Sequence, residues 1–169
     1  SERIKKRLFC QIIYPMSLLE IHTINRKLID WRKNNIEIVF TNGCFDLLHR
    51  GHIDLLNKAS SYGDILIVGL NSDSSVKNLK GEERPIENET IRSKNLLNLQ
   101  FVNYVIIFDS DTPQELVKII MPDVLVKGGD YNLSNIVGAK EVILNGGEVK
   151  IVPLTDGYST SSIIKSQNR

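Results

Sequence analysis

The chain has 169 residues, of which 41% are hydrophobic and 24% charged, with a formal net charge of +1. This length suits one domain with a real core, and the composition excludes a disordered or fibrous chain. Near-neutral charge excludes a broad cationic field for nonspecific binding to nucleic acid or an anionic membrane, so any phosphate recognition must come from local residues.

The start, Arg3-Ile4-Lys5-Lys6-Arg7 followed by apolar residues, superficially resembles a signal peptide. Gln11 and Pro15 interrupt the run and no small-residue cleavage site follows, so no secretion signal is expected. Residues 1–35 read as an N-terminal extension and helix, and residues 36–169 as the main domain. Within the extension, residues 21–32 have helical amphipathicity, with Ile24, Leu28 and Trp31 on one side. This helix is expected to pack on the domain or, alternatively, to serve as an oligomerisation element. The two cysteines, Cys10 and Cys44, form no Cys-x-x-Cys unit, and a domain of this size needs no disulfide, so a reducing cytoplasm is expected. No apolar stretch approaches the length of a transmembrane helix.

Apolar runs then recur at residues 36–41, 64–70, 104–108, 124–126 and 149–152, which implies five short, buried strands. Helical segments separate them. In Thr112-Pro113-Gln114-Glu115 the threonine is expected to cap, the proline to take the first helical position and the glutamate to complete a capping box. The alternation predicts a Rossmann-like three-layer α/β sandwich with a five-stranded parallel sheet, covered on both faces.

Just beyond the first of the five runs comes His49-Arg50-Gly51-His52. Asn42 ends the strand, Gly43 permits a tight turn, and helical periodicity resumes through Ile53, Leu56 and Ala59. Unpaired N–H groups and the positive end of the helix dipole favour anions at such a point, beyond the carboxyl end of a strand. Two imidazoles there can donate hydrogen bonds to phosphate oxygens. The three-residue spacing also suits a metal on one helix face, but with three histidines in all and no cysteine cluster, a structural zinc site is not expected. Cys44 lacks an evident His and Asn/Asp arrangement and reads as a small buried hydrophobe rather than a nucleophile.

Positive charge recurs further on. Lys80, Arg84 and Arg92 lie between the second and third of the five runs, where they suit a pyrophosphate or an incoming phosphate, or plain surface solvation. Lys127-Gly128-Gly129-Asp130 follows the fourth run. Its glycines let backbone approach a nucleotide, Lys127 reaches phosphates and Asp130 can accept from a sugar hydroxyl or base; a simple glycine turn is the alternative. The segment from Gly157 to Ser162, with Ser159 and Thr160, offers hydroxyl donors at a helix start, as a phosphate cradle or an ordinary cap.

These residues fall into a known order. Thr41-Asn42-Gly43-Cys44-Phe45-Asp46-Leu47-Leu48-His49-Arg50-Gly51-His52 resembles the opening signature of the cytidylyltransferase-like nucleotidyltransferases, whose mark is His-x-Gly-His. Asn71-Ser72-Asp73 resembles the family's next strand end. Lys77, Lys80-Gly81, Arg84-Pro85, Arg92, Asp111-Thr112-Pro113, Lys127-Gly128-Gly129-Asp130-Tyr131, Gly138-Ala139-Lys140-Glu141-Val142 and Gly157-Tyr158-Ser159-Thr160 resemble one subgroup, the heptose 1-phosphate adenylyltransferases, often fused behind a sugar kinase. The resemblance covers residues 36–166.

It implies transfer of AMP from ATP to D-glycero-β-D-manno-heptose 1-phosphate, giving ADP-heptose and pyrophosphate for the lipopolysaccharide core. A cytidylyltransferase acting on glycerol 3-phosphate or a similar phosphorylated alcohol is the alternative, and a nucleotide-binding module without catalysis a third reading. It further implies His49, His52 and Lys127 as catalytic residues, and Asn42, Gly43, Phe45, Gly51, Gly128, Asp130, Ser159 and Thr160 around the nucleotide. Lys80, Arg84 and Arg92 would bind the acceptor or pyrophosphate. Mg²⁺ is expected with ATP, without a named protein ligand, and a homodimer and a separate sugar kinase in the pathway are the expected partners.

Overall fold

The computed structural model describes residues 5, 6 and 16–154. In chain order the elements are β1 (Ser17–Leu19), α1 (Ile24–Lys33), β2 (Ile38–Gly43), α2 (Arg50–Ser60), β3 (Ile65–Asn71), α3 (Asp73–Lys80) and α4 (Glu89–Leu97). Then follow β4 (Tyr104–Phe108), α5 (Gln114–Ile120), β5 (Val124–Gly128), a 3₁₀ turn (Leu133–Asn135), α6 (Ala139–Leu144) and β6 (Glu148–Val152).

The strands form one sheet in the order β1-β4-β3-β2-β5-β6, with every neighbouring pair parallel. The architecture is the expected Rossmann-like α/β fold, but the sheet has six strands, one more than the apolar runs imply. The additional strand, β1, lies in the stretch read as an extension. Its three residues are too few to show a period, and pairing supplies what the sequence lacks: Ser17 N–H donates to Asn103 O at 3.1 Å and β1 runs along β4.

Alternate residues of each strand serve opposite faces. Ile38, Phe40, Ile65, Ile67 and Tyr104 pack with Leu28 and Trp31 of α1 and with Leu116 of α5. Val39, Leu66, Val68 and Val105 pack with Leu55 and Leu56 of α2 and Leu96 of α4. Because both faces are covered, β3 is buried at every position, which is why it reads as an unbroken apolar run. Trp31 is fully buried, its ring 5.1 Å from that of Tyr104. The apolar side of α1 therefore belongs to the chain's own core, which removes Trp31 as an oligomerisation contact.

α5 begins one residue later than its sequence suggests. Val117 N–H bonds to Pro113 O at 2.8 Å, so the proline itself occupies the cap position, without a side-chain cap bond. Thr112 is left exposed, and Glu115 pairs with Lys118 at 2.9 Å instead of closing a capping box. Among the described residues no helix is long and apolar enough to cross a membrane.

The strand order fixes where a ligand belongs. From β2 the chain winds through β3 and β4 to one side, then crosses to β5 and β6 on the other. This reversal between β2 and β5 is the topological switch point, and open parallel sheets bind ligands outside the carboxyl ends of the strands there. Those ends carry Asn42-Gly43 and Lys127-Gly128.

Candidate active site

The loop from β2 to α2 is held in a conformation that ordinary residues seldom adopt. Phe45 and Leu47 have φ of 47° and 58°, both in the left-handed region. A Cβ on Gly43 would stand 3.0 Å from Phe45 Cε2, so the glycine lets that ring fold back over the strand end. The Phe45 ring then meets His52 edge-on, with centroids 5.3 Å apart.

Asp46 anchors the same loop. Its buried carboxylate accepts from Arg84 Nε at 2.7 Å, Ile86 N–H at 2.9 Å and Glu87 N–H at 3.0 Å. Burial by itself would raise its pKa, but the two backbone donors and the Arg84 guanidinium together hold the carboxyl below the usual range. The loop is thereby clamped to residues 84–87.

His49 caps α2 with extended backbone, and His52 stands in its first turn. The backbone N–H of His49 donates to His52 Nδ1 at 3.4 Å, and the rings stack with centroids 3.7 Å apart and planes at 22°. Acceptance at Nδ1 assigns the His52 proton to Nε2, the atom left to donate to a ligand. Burial, then the neighbouring His49 and Lys80, push the pKa of His52 down to about 4, and burial also lowers that of His49. Two neutral imidazoles thus stand at a helix N-terminus, where a polyanion would favour their protonated forms. Gly51 is buried between them in the first helical turn.

Across the switch point, Lys127 Nζ donates to Asn42 Oδ1 at 3.3 Å and lies 5.7 Å from the centre of the Tyr131 ring. Burial lowers the Lys127 pKa and Cys44 opposes that shift. A cleft of about 320 Å³ opens here, walled by Asn42, Gly43, Cys44, Asn71, Lys127 and Tyr131, and by Asp111, Thr112 and Asn135. Cys44, expected as a small buried hydrophobe, is instead a half-buried free thiol in this wall. The turn after β2 brings it to the cleft, because the Phe45 ring takes the inward position.

The structure brings Asn42, Gly43, His49, Gly51, His52 and Lys127 to the two strand ends. Gly128 lies under Leu55, where a Cβ would come within 2.7 Å of Cδ2, and Gly129 turns the chain at φ 114° towards exposed Asp130. Lys80 ends α3, exposed, with its charge felt at His52. Arg84 reaches the loop through Asp46, and its buried Nη2 has no partner among the described residues.

Arg92 is placed differently, fully buried beneath the site. Its guanidinium donates to Glu87 O at 2.9 Å, Cys44 O at 2.7 Å, Asn71 O at 2.8 Å and Asp73 Oδ1 at 2.8 Å, tying the β2 loop to the end of β3. Ser159 and Thr160 lie outside the described residues. The wall residues Asp111, Thr112, Tyr131 and Asn135 were not singled out for chemistry by sequence reasoning. For the first three the available signal was their place in the quoted motifs.

Known proteins resemble the chain over the same region. The sequence model of the cytidylyltransferase-like family matches residues 40–166. The bifunctional protein HldE of Koribacter versatilis is 55% identical over 135 residues, covering 80% of this chain and 28% of that protein. The protein of the same name from Wolinella succinogenes is 49% identical over 148 residues, covering 88% of this chain and 30% of its own. The chain therefore spans less than a third of the length of these curated relatives. Among solved structures, a lipopolysaccharide core biosynthesis protein from Thermoplasma volcanium matches with a TM-score of 0.59 and 28% identity, covering 73% of this chain and 99% of that one. A pantoate-beta-alanine ligase from Francisella tularensis, with a TM-score of 0.61 and 15% identity over 90% of this chain and 77% of its own, shares the fold.

Proposed function

This chain belongs to the cytidylyltransferase-like family, and on that footing we propose that it is an adenylyltransferase that moves AMP from ATP to D-glycero-β-D-manno-heptose 1-phosphate. The products would be ADP-heptose, for the lipopolysaccharide core, and pyrophosphate. One observation carries the nucleotidyl-transfer part: stacked neutral histidines at the N-terminus of α2 stand beside the switch point that Lys127 spans. The named relatives at about half identity and the lipopolysaccharide protein of similar fold support the choice of acceptor.

A phosphate oxygen of the sugar phosphate attacks the α-phosphorus of ATP. The bond from that phosphorus to the oxygen bridging to the β-phosphate breaks, and pyrophosphate leaves with the electron pair. No covalent enzyme intermediate forms, so the protein contributes alignment and stabilisation of the charge on phosphoryl oxygens. His49, His52 and the first N–H groups of α2 would hold the phosphates, with Lys80 and Arg84 at their side. The triphosphate restores the proton affinity that burial removes from His52. Lys127 would lie against the α-phosphate and the incoming phosphate, while Asp46 and Arg92 position the loop that carries the histidines.

Magnesium enters as part of the substrate, bound to ATP. Among the described residues no three His, Cys, Asp or Glu side chains are grouped to hold a metal, and this ion commonly keeps waters and phosphate oxygens as its ligands. The heptose phosphate would come from a sugar kinase activity. We also propose a homodimer on the family resemblance, and light scattering that returns the mass of one chain would remove it.

The test is pyrophosphate release with Mg²⁺, comparing ATP plus heptose 1-phosphate against CTP plus glycerol 3-phosphate, with mass detection of the product. ADP-heptose in the first mixture alone is expected. Turnover in the second alone would replace the substrates and keep the histidine roles, whereas nucleotide binding without turnover in either would favour a binding module.

A further inference from the structure

In-line displacement places the attacking oxygen and the departing pyrophosphate on opposite sides of the α-phosphorus. With the phosphates on the N-terminus of α2, the departing side is that of His49, His52 and Lys80. The attacking side is then the one across Asn42 and Lys127. The 320 Å³ cleft opens there: Asn42 and Lys127 form part of its wall, and among its described lining residues there is neither histidine.

The far wall of this cleft carries polar groups beside the apolar Leu79, Pro113 and Val137, for a reason set by the fold. Because α5 starts after Pro113, the β4–α5 connection does not use Thr112 as a cap, and Asp111 and Thr112 are both exposed at the cleft. Asn135, from the 3₁₀ turn, lines the same wall. A carboxylate accepts hydrogen bonds from hydroxyls and repels phosphate, so an acceptor in this cleft would lie with its phosphate on Lys127 and its hydroxyl-bearing end on Asp111.

We propose that this cleft is the acceptor subsite and that Asp111 is its specificity-determining residue, selecting a polyhydroxylated sugar phosphate by accepting hydrogen bonds from its hydroxyls. This rests on the nucleotidyltransferase reading above and assigns the residue that reads the acceptor. The cleft lies near the lower end of the size range of small-molecule sites, as a single phosphorylated sugar requires.

Asp111→Ala and Asp111→Asn are suitable probes, since the side chain is exposed and outside both core clusters. The full chain would be titrated with D-glycero-β-D-manno-heptose 1-phosphate in the presence of Mg²⁺ and a non-hydrolysable ATP analogue. Affinity for the sugar phosphate should fall about tenfold or more in Asp111→Ala and less in Asp111→Asn, which keeps an acceptor oxygen. Affinity for the ATP analogue should stay at the wild-type value, and KM for the sugar phosphate should rise more than kcat falls. Unchanged sugar-phosphate affinity, or equal loss of both affinities, overturns the proposal. A wild type that turns over no sugar phosphate overturns the functional reading, and this subsite with it; an active wild type whose Asp111 variants bind as it does overturns the subsite alone.

Discussion

His52 meets two demands with one ring. Its Nδ1 accepts from the backbone of His49, and its remaining nitrogen is free of that duty and available to phosphate. Replacing either histidine by alanine should lower turnover about a hundredfold or more while urea unfolding shows a folded chain. Retained pyrophosphate release in both variants would remove them from the reaction. The same burial has a signature in stability. The folded chain keeps His52 neutral down to about 4, whereas the unfolded chain takes the proton near the ordinary 6.5. In that window the unfolded state binds more protons, so stability falls as pH drops from about 6.5 to about 4, by on the order of 3 kcal/mol at most. Urea midpoints at about pH 7.5 and 4.5 should show a smaller acid loss in His52→Gln than in the wild type. Equal losses would place the titration elsewhere. The histidine pair was legible in the sequence because it is local, two residues in one helical turn after a strand. Asp46 and Arg84 are 38 positions apart, and nothing local announces that they meet.

The element that matters most is the β2–α2 loop, since it sets the histidines yet contributes few of the core residues itself. Arg92 supports it from below by binding carbonyls at Cys44 and Asn71, the ends of two neighbouring strands. Arg92→Met leaves those carbonyls and Asp73 without their donor, and should destabilise the chain by about 3–5 kcal/mol in urea unfolding. A loss below about 1 kcal/mol would mean the loop holds itself. Sequence reading put Arg92 among residues for substrate phosphate, because an arginine between strands shows its charge but not its depth. It read α1 well, since Ile24, Leu28 and Trp31 repeat along one helix face. Trp31→Ala should lower stability by about 3–5 kcal/mol, as for other buried aromatic truncations. The start of α5 was misread at Thr112, because the helix begins one residue later and Pro113 takes the cap position without a side-chain cap bond. That displacement is what leaves Thr112 facing the cleft.

Across the whole molecule, the parallel sheet was legible because inner strands such as β3, buried on both faces, must be apolar throughout, whereas the edge strand β6 is only partly buried. β1 was not, since its three residues carry no pattern and only the edge of β4 gives them a place. This small strand has an effect far from the histidines. A chain shortened past Leu19 would uncover the edge of β4 from Tyr104 to Ile106, an apolar stretch whose backbone groups on that side would be left unpaired. Such an edge is a template for strand addition by another copy. The shortened chain should therefore gain turbidity that grows with protein concentration and is relieved by adding a charge on β4, as in Ile107→Lys. On that outcome Ser17 to Leu19 would guard the β4 edge against self-association, a task that neither turnover nor nucleotide binding would reveal.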